Sequence, residues 1–241
     1  MYNYAIATGL NGSITNGTID PQYQEKTVTQ VAPNAFLNNK NLQGTLNLSN
    51  VTTIGVNAFQ GCTELTGSLD LSKVTSLGTS ALENSFQKNT ITPKTLTLSN
   101  QLTVIQDSAF KECGLTSFTK LTSNTLQTIS PNAFTDCGIH SFDFTPCSQL
   151  TAIDPSAFNS TASQPEQTTI YVNQVTYNAI TPSSFPPYVI FISDNLCNAF
   201  HEHSTNVYRH PGSLSITIQN PSPDQAITVS DIHVTFVYIG K

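Results

Sequence analysis

The residues best suited to hold a metal are His201-Glu202-His203, with His210 and Cys197 nearby. Two histidines at i and i+2 share one face of a strand, an arrangement that can hold zinc. The set lacks the H-E-x-x-H spacing that puts two histidines on one helical face beside a base. A solvated loop is therefore the favoured reading, with His201, His203 and His210 as weak metal candidates. Nucleophilic catalysis needs a Ser or Cys on a strained turn with a base in reach. No G-x-S-x-G occurs, and His140 and His233 each stand isolated in an alternating run. Asp70 and Asp143 hold equivalent places but lie too far apart along the chain's repeats to work as a carboxylate pair. There is no glycine-rich phosphate loop. The expectation is a protein that is not an enzyme and takes no cofactor.

Composition points the same way. Charged residues make up 10% of the 241, against about 25% in an average globular protein. Thr, Ser, Asn and Gln supply the polarity, which suits stacked strands whose neutral side chains do not repel one another. The net charge is −6 with nine Lys plus Arg and no basic cluster, so nucleic acid is not an expected partner. No run of about 18 apolar residues exists, so no membrane insertion is expected, and residues 1–15 do not read as a signal peptide.

The elements that position all of these residues form a repeat. Val31-Ala32-Pro33-Asn34-Ala35-Phe36, Ile54 to Phe59, Ile105 to Phe110, Ile129 to Phe134 and Ile153 to Phe158 share the core Ile-x-x-x-Ala-Phe. Leu77 to Leu82 is a degenerate copy. The Phe position recurs at 36, 59, 82, 110, 134 and 158, in steps of 23, 23, 28, 24 and 24. Such regularity marks a solenoid. The longer step is an insertion, Glu83 to Thr92, where Ala81 to Phe86 is expected to form a helical turn and a bulge. Cys62, Cys113 and Cys137 each follow the Phe position by three and read as a column of small buried residues. Cys113 and Cys137 fall on neighbouring coils, where a disulfide is geometrically conceivable.

Each unit opens with a short alternating run: Thr45–Leu48, Ser68–Leu71, Thr95–Leu98, Ser117–Phe118, Ser141–Phe144 and Thr169–Val172. Period-two alternation means a strand with one buried face. Its outward residues form two rows. The first is Thr45, Ser68, Thr95, Ser117, Ser141 and Thr169; the second is Asn47, Asp70, Thr97, Thr119, Asp143 and Tyr171. Of these, Thr45, Asn47, Ser68, Asp70, Thr95, Thr97, Ser141, Asp143, Thr169 and Tyr171 are the candidate ligand-binding face. The inward residues of each unit, with Ile, Ala and Phe, are the expected core.

These units resemble the leucine-rich repeats of the BspA-like (Treponema pallidum) type, whose repeat carries L-x-x-L-x-L and then L-x-x-I-x-x-x-A-F-x-x-C. Leu42, Leu46, Leu48, Val51, Ile54, Ala58, Phe59 and Cys62 match in order. Ile139, Phe142, Phe144, Leu150, Ile153, Ala157 and Phe158 match again, with Thr161 in the Cys place. Thr169–Val172 followed by Tyr177-Asn178-Ala179 is similar to the segment that closes such arrays. The resemblance covers about residues 17–192. It implies a mainly-β repeat solenoid and an adhesion or binding protein at the cell surface or outside the cell, facing a protein or glycan ligand. The chain then divides into an N-terminal cap (1–27), the solenoid with its closing segment (28–192) and a small C-terminal antiparallel β extension (193–241). Leu214–Ile218 and Ile232–Tyr238 alternate cleanly in that extension, which raises an alternative: a structural subunit of a filament, surface layer or virion appendage, self-associating through terminal strands.

Overall fold

The structure is a computed structural model, and it describes residues 4–7, 22–23, 26–87, 93–119, 121 and 125–193. The chain begins with β1 (Tyr4–Ala7), β2 (Gln22–Tyr23) and β3 (Lys26–Val31), then runs through the coils as β4 (Thr53–Ile54), β5 (Leu69–Leu71), β6 (Ser76–Leu77) and β7 (Thr95–Leu98). Next come β8 (Val104–Ile105), β9 (Ser117–Phe118), β10 (Thr128–Ile129), β11 (Ser141–Asp143) and β12 (Ala152–Ile153). The array closes with β13 (Thr168–Val172), helix α1 (Gln174–Ala179), a 3-10 turn (Pro182–Ser184) and β14 (Val189–Ser193). It is a mainly-β solenoid of about seven turns.

Most units contribute two strands because they carry two apolar patterns. The alternating runs form the parallel files β5-β7-β9 and β11-β13-β14. The Ile positions form two-residue strands in the parallel files β3-β4-β6 and β8-β10-β12, with β1 beside β3. Parallel register is forced by the winding: each strand recurs one whole coil later and in the same direction. Thus Leu69 faces Leu96, Phe142 faces Ile170, and Ile105, Ile129 and Ile153 stand in line. The first alternating run departs from the strand expectation. Around Thr45–Leu48 only isolated bridges form, although Leu46 and Leu48 are buried and Thr45 and Asn47 exposed as the pattern requires.

The corner between the files is where Ile-x-x-x-Ala-Phe acts. In the second coil the N–H groups of Ala58, Gln60 and Cys62 donate back three residues, to Gly55, Asn57 and Phe59. The alternate N–H groups leave the coil: Asn57 donates to Thr79 O, Phe59 to Ala81 O and Gly61 to Glu83 O at 2.8–3.0 Å. Each backbone N–H from Asn57 to Cys62 thus has a carbonyl partner, within its own coil or in the next. In the first five coils this corner places a left-handed residue two places before and two places after the Phe position. Asn34, Asn57, Ser80, Ser108 and Asn132 take φ of 52–58°, and Asn38, Gly61, Asn84, Glu112 and Asp136 take 51–73°. Asn, Asp and Gly tolerate that conformation best.

Ala58, Ala81, Ala109, Ala133 and Ala157 are fully buried. The Phe rings beside them stack coil on coil: Phe36 on Phe59 at 5.2 Å, Phe110 on Phe134 at 5.3 Å, Phe134 on Phe158 at 5.5 Å. Leu82 interrupts the file. A β-carbon on Gly55 would lie 2.5 Å from Pro33 N, so the preceding coil admits only glycine there. The residues at the start of the insertion make turns and no helix; residues 88–92 lie outside the described residues. At its base the buried Lys94 Nζ donates to Phe86 O (2.5 Å), and burial pulls the ammonium pKa down.

Cys62, Cys113 and Cys137 are buried as expected, and all are free thiols, so no disulfide joins Cys113 to Cys137. Ser85 holds the same place in the third coil and donates to Leu82 O at 2.6 Å. Thr161 does not follow the column. It is exposed, because the sixth coil has no following coil to cover that corner.

Candidate functional site

The two outward rows sit where alternation puts them. Ser68 and Asp70 flank the buried Leu69 of β5; Thr95 and Thr97 are half-buried on β7; Ser141 and Asp143 lie on β11, opposite Thr169 and Tyr171 of β13. Asp70 faces Thr97, and Thr95 faces Ser117. The strands therefore bring the rows together across neighbouring coils, with β9 packed beside β11.

Part of this polarity is spent inside the fold. The Thr95 and Ser117 hydroxyls bond each other at 2.8 Å, and Thr97 donates to Thr119 at 3.2 Å. Asn47 Oδ1 accepts from Ser49 N, Asp70 Oδ1 from Ser72 N, and Asp143 Oδ1 from both Thr145 N and Thr145 Oγ1. Each of these three residues thus closes an Asx turn where the chain leaves the strand file. Their second role, if they meet a ligand, has to coexist with that one.

Two features lie beyond the expectations above. The first is a second outward column, Thr29, Thr52, Thr75, Thr103 and Thr151 with Gln127, seven places before the Phe position. Thr52 and Thr75 donate to Thr29 O and Thr52 O, one coil back. The periodicity that located the Phe column would have located this one. The second is a cleft beside the last coil. His140 is not isolated: its Nε2 lies 3.3 Å from Glu166 Oε2, across the loop 161–167. Asp136 accepts from Ser160 Oγ, Thr161 N and Thr161 Oγ1 at the other end of that loop. Tyr188 Oη accepts from Ser160 N at 2.7 Å. No sequence spacing joins His140, Glu166 and Tyr188; only the stacking of the last coils does.

Burial raises the thiol pKa of Cys62 to about 12, of Cys113 to about 11 and of Cys147 to about 11, and raises that of Cys137 still further. None is a nucleophile near neutral pH. Among the described residues no group of three or more His, Cys, Asp and Glu is placed to hold a metal. His201, His203, His210 and Cys197 lie outside the described residues, as does the expected C-terminal sheet. Among the described residues, no helix is long and apolar enough to cross a membrane.

A comparison with curated proteins finds no match. Among solved structures, the chain resembles a leucine-rich repeat protein from Bacteroides ovatus at 16% identity, over 74% of this chain and 70% of that one, with a TM-score of 0.23. The profile of the BspA type leucine rich repeat region matches in six copies, over residues 18–96 and 82–186. With that profile spanning most of the chain, and with the Leu, Ile, Ala and Phe columns stacked as its repeat demands, the chain belongs to the BspA-type leucine-rich repeat family.

Proposed function

We propose that this protein is a non-catalytic binding or adhesion protein, acting outside the cell or at its surface. It presents the strand face of the solenoid to a macromolecular ligand, a protein or a glycan. The supporting observation is the pair of outward rows, from Thr45 and Asn47 to Thr169 and Tyr171, most of them on parallel strands over a continuous buried core. Solenoids bind across such extended faces. Arg and large aromatics, which dominate compact protein hot spots, are nearly absent from the rows. Many weak contacts spread over several coils suit them better.

The test is binding to immobilised extracellular-matrix proteins and to a glycan array, before and after Asn47→Asp, Asp70→Asn and Asp143→Asn. These exchanges keep the acceptor that each Asx turn needs while changing the charge of the row. A loss of binding with unchanged melting temperature supports the face. Unchanged binding in the triple variant removes it.

A structural subunit is the second reading. It is favoured by β1 and β14, which end their respective files among the described residues. Strand addition by a neighbouring copy would use those edges. A chain that stays monomeric at high concentration in sedimentation would discard it.

A further inference from the structure

The triplet Asn-x-Ser/Thr occurs twice in succession in the first coil, as Asn47-Leu48-Ser49 and Asn50-Val51-Thr52, and again at Asn159-Ser160-Thr161. Those at Asn11 and Asn16 lie outside the described residues. In an exported protein this triplet accepts an N-linked oligosaccharide, provided that its Asn stands at the surface. A chain so rich in Asn, Ser and Thr contains such triplets by composition alone. Only the fold can separate the usable ones from the rest.

Asn50 sits in the turn that follows the first alternating run. Val51 is buried beneath the turn, and its N–H donates to Leu48 O at 2.9 Å. Asn50 and Thr52 stand exposed on either side of it. Among the described residues no hydrogen bond holds the Asn50 carboxamide. Later coils carry Lys73, Gln101, Thr125 and Gln149 at the corresponding place, two before Thr75, Thr103, Gln127 and Thr151. The repeat thus supplies the hydroxyl in most coils, and the first coil sets an Asn two places ahead of it.

The other two described triplets are engaged in the fold. Asn47 Oδ1 accepts from Ser49 N at 3.1 Å, and its side chain belongs to an outward row. Asn159 is half-buried. Ser160 N donates to Tyr188 Oη, and Ser160 Oγ, Thr161 N and Thr161 Oγ1 all donate to the Asp136 carboxylate.

We propose that Asn50 is an N-glycosylation site, which takes its oligosaccharide from a lipid-linked diphosphate donor. Nδ2 attacks C1 of the first sugar and forms the new C–N bond. The C1–O bond to the diphosphate breaks, the lipid diphosphate leaves with that electron pair, and Nδ2 gives up one proton. The bulky, polar chain then stands on the turn between the two strand files, outside both outward rows. The site rests on the reading that this protein works outside the cell.

The experiment uses the full chain isolated from its source, with surface-biotinylated molecules separated from the rest. Peptide N-glycosidase in heavy-oxygen water converts a glycosylated Asn to Asp and leaves an isotope label there. Fragment spectra of the peptides locate the label. A label at position 50 in the surface pool is expected, with positions 47 and 159 unlabelled. Asn50→Gln should abolish the gel shift on deglycosylation, whereas Asn47→Gln should keep it. An unlabelled position 50 in the surface pool overturns the site and leaves the strand-face reading standing. So does a label at 47 or 159 in its place. A chain found wholly inside the cell overturns both.

Discussion

Tyr188 Oη stands 2.7 Å from the backbone nitrogen of Ser160 and accepts its proton. Earlier in the array the equivalent N–H is taken by the next coil: Gly61 by Glu83 O, Glu112 by Thr135 O, Asp136 by Asn159 O. At Ser160 there is no such coil, and a phenol from the closing segment stands in for a carbonyl. Solenoids need their last coil covered, and here one side chain completes the file of hydrogen bonds. Tyr188→Phe should cost about 1–2 kcal/mol, since it leaves a partly covered N–H unpaired. Urea unfolding measures the loss, and amide exchange at Ser160 should accelerate more than at Asp136.

The Phe column sets the strength of the core. Phe134 touches the rings of Phe110, Phe142 and Phe158 at centroid distances of 4.7–5.5 Å. Phe134→Ala should therefore cost about 3–5 kcal/mol, and Phe134→Leu clearly less. Leu82 already serves the same column in the third coil, fully buried. Equal denaturation midpoints for the two variants would show that apolar volume alone does not replace the Phe134 ring.

The left-handed positions should be separable by residue type. Glu112 takes φ 51° with an exposed side chain, a conformation costing a non-glycine residue about 1–2 kcal/mol. Glu112→Gly should stabilise the chain by up to about 1 kcal/mol, even though it gives up a surface contact with Lys111. Gly61→Ala should do the reverse, because its φ is 73° and its new β-carbon would lie 2.2 Å from Asn38 Oδ1. Thermal melts of the two variants should move in opposite directions.

The buried thiols give a pH signature. Folding raises the pKa of Cys62 to about 12 and of Cys113 and Cys147 to about 11, from an ordinary value of 9.0. A group raised in the folded state contributes stability below its unfolded pKa and loses it as pH climbs toward the folded one. Stability should be level through neutral pH and fall from about pH 9 to 12. Iodoacetamide at pH 8 should leave the peptides of Cys62, Cys113, Cys137 and Cys147 unlabelled in the folded chain and modify them in urea.

The sequence alone determined the solenoid, its inward columns and its two outward rows. Each depends only on where a residue falls within a repeat of about 24, and every copy reports the same answer. Leu69, Phe59 and Cys62 are buried for the reason their relatives are. Asn34, Asn57 and Asn132 even carried the left-handed corners in their residue types, once the corner is known to need them. What one repeat cannot state is how the array ends. The pairing of His140 with Glu166, the exposure of Thr161 and the phenol on Ser160 N arise where the sixth coil meets a closing segment unlike itself. The Asx turns of Asn47, Asp70 and Asp143 likewise emerge only from the path of the chain after each strand. Periodicity fixes what recurs, because stacking repeats one set of contacts. The terminus breaks that repetition, so its contacts are decided by tertiary packing.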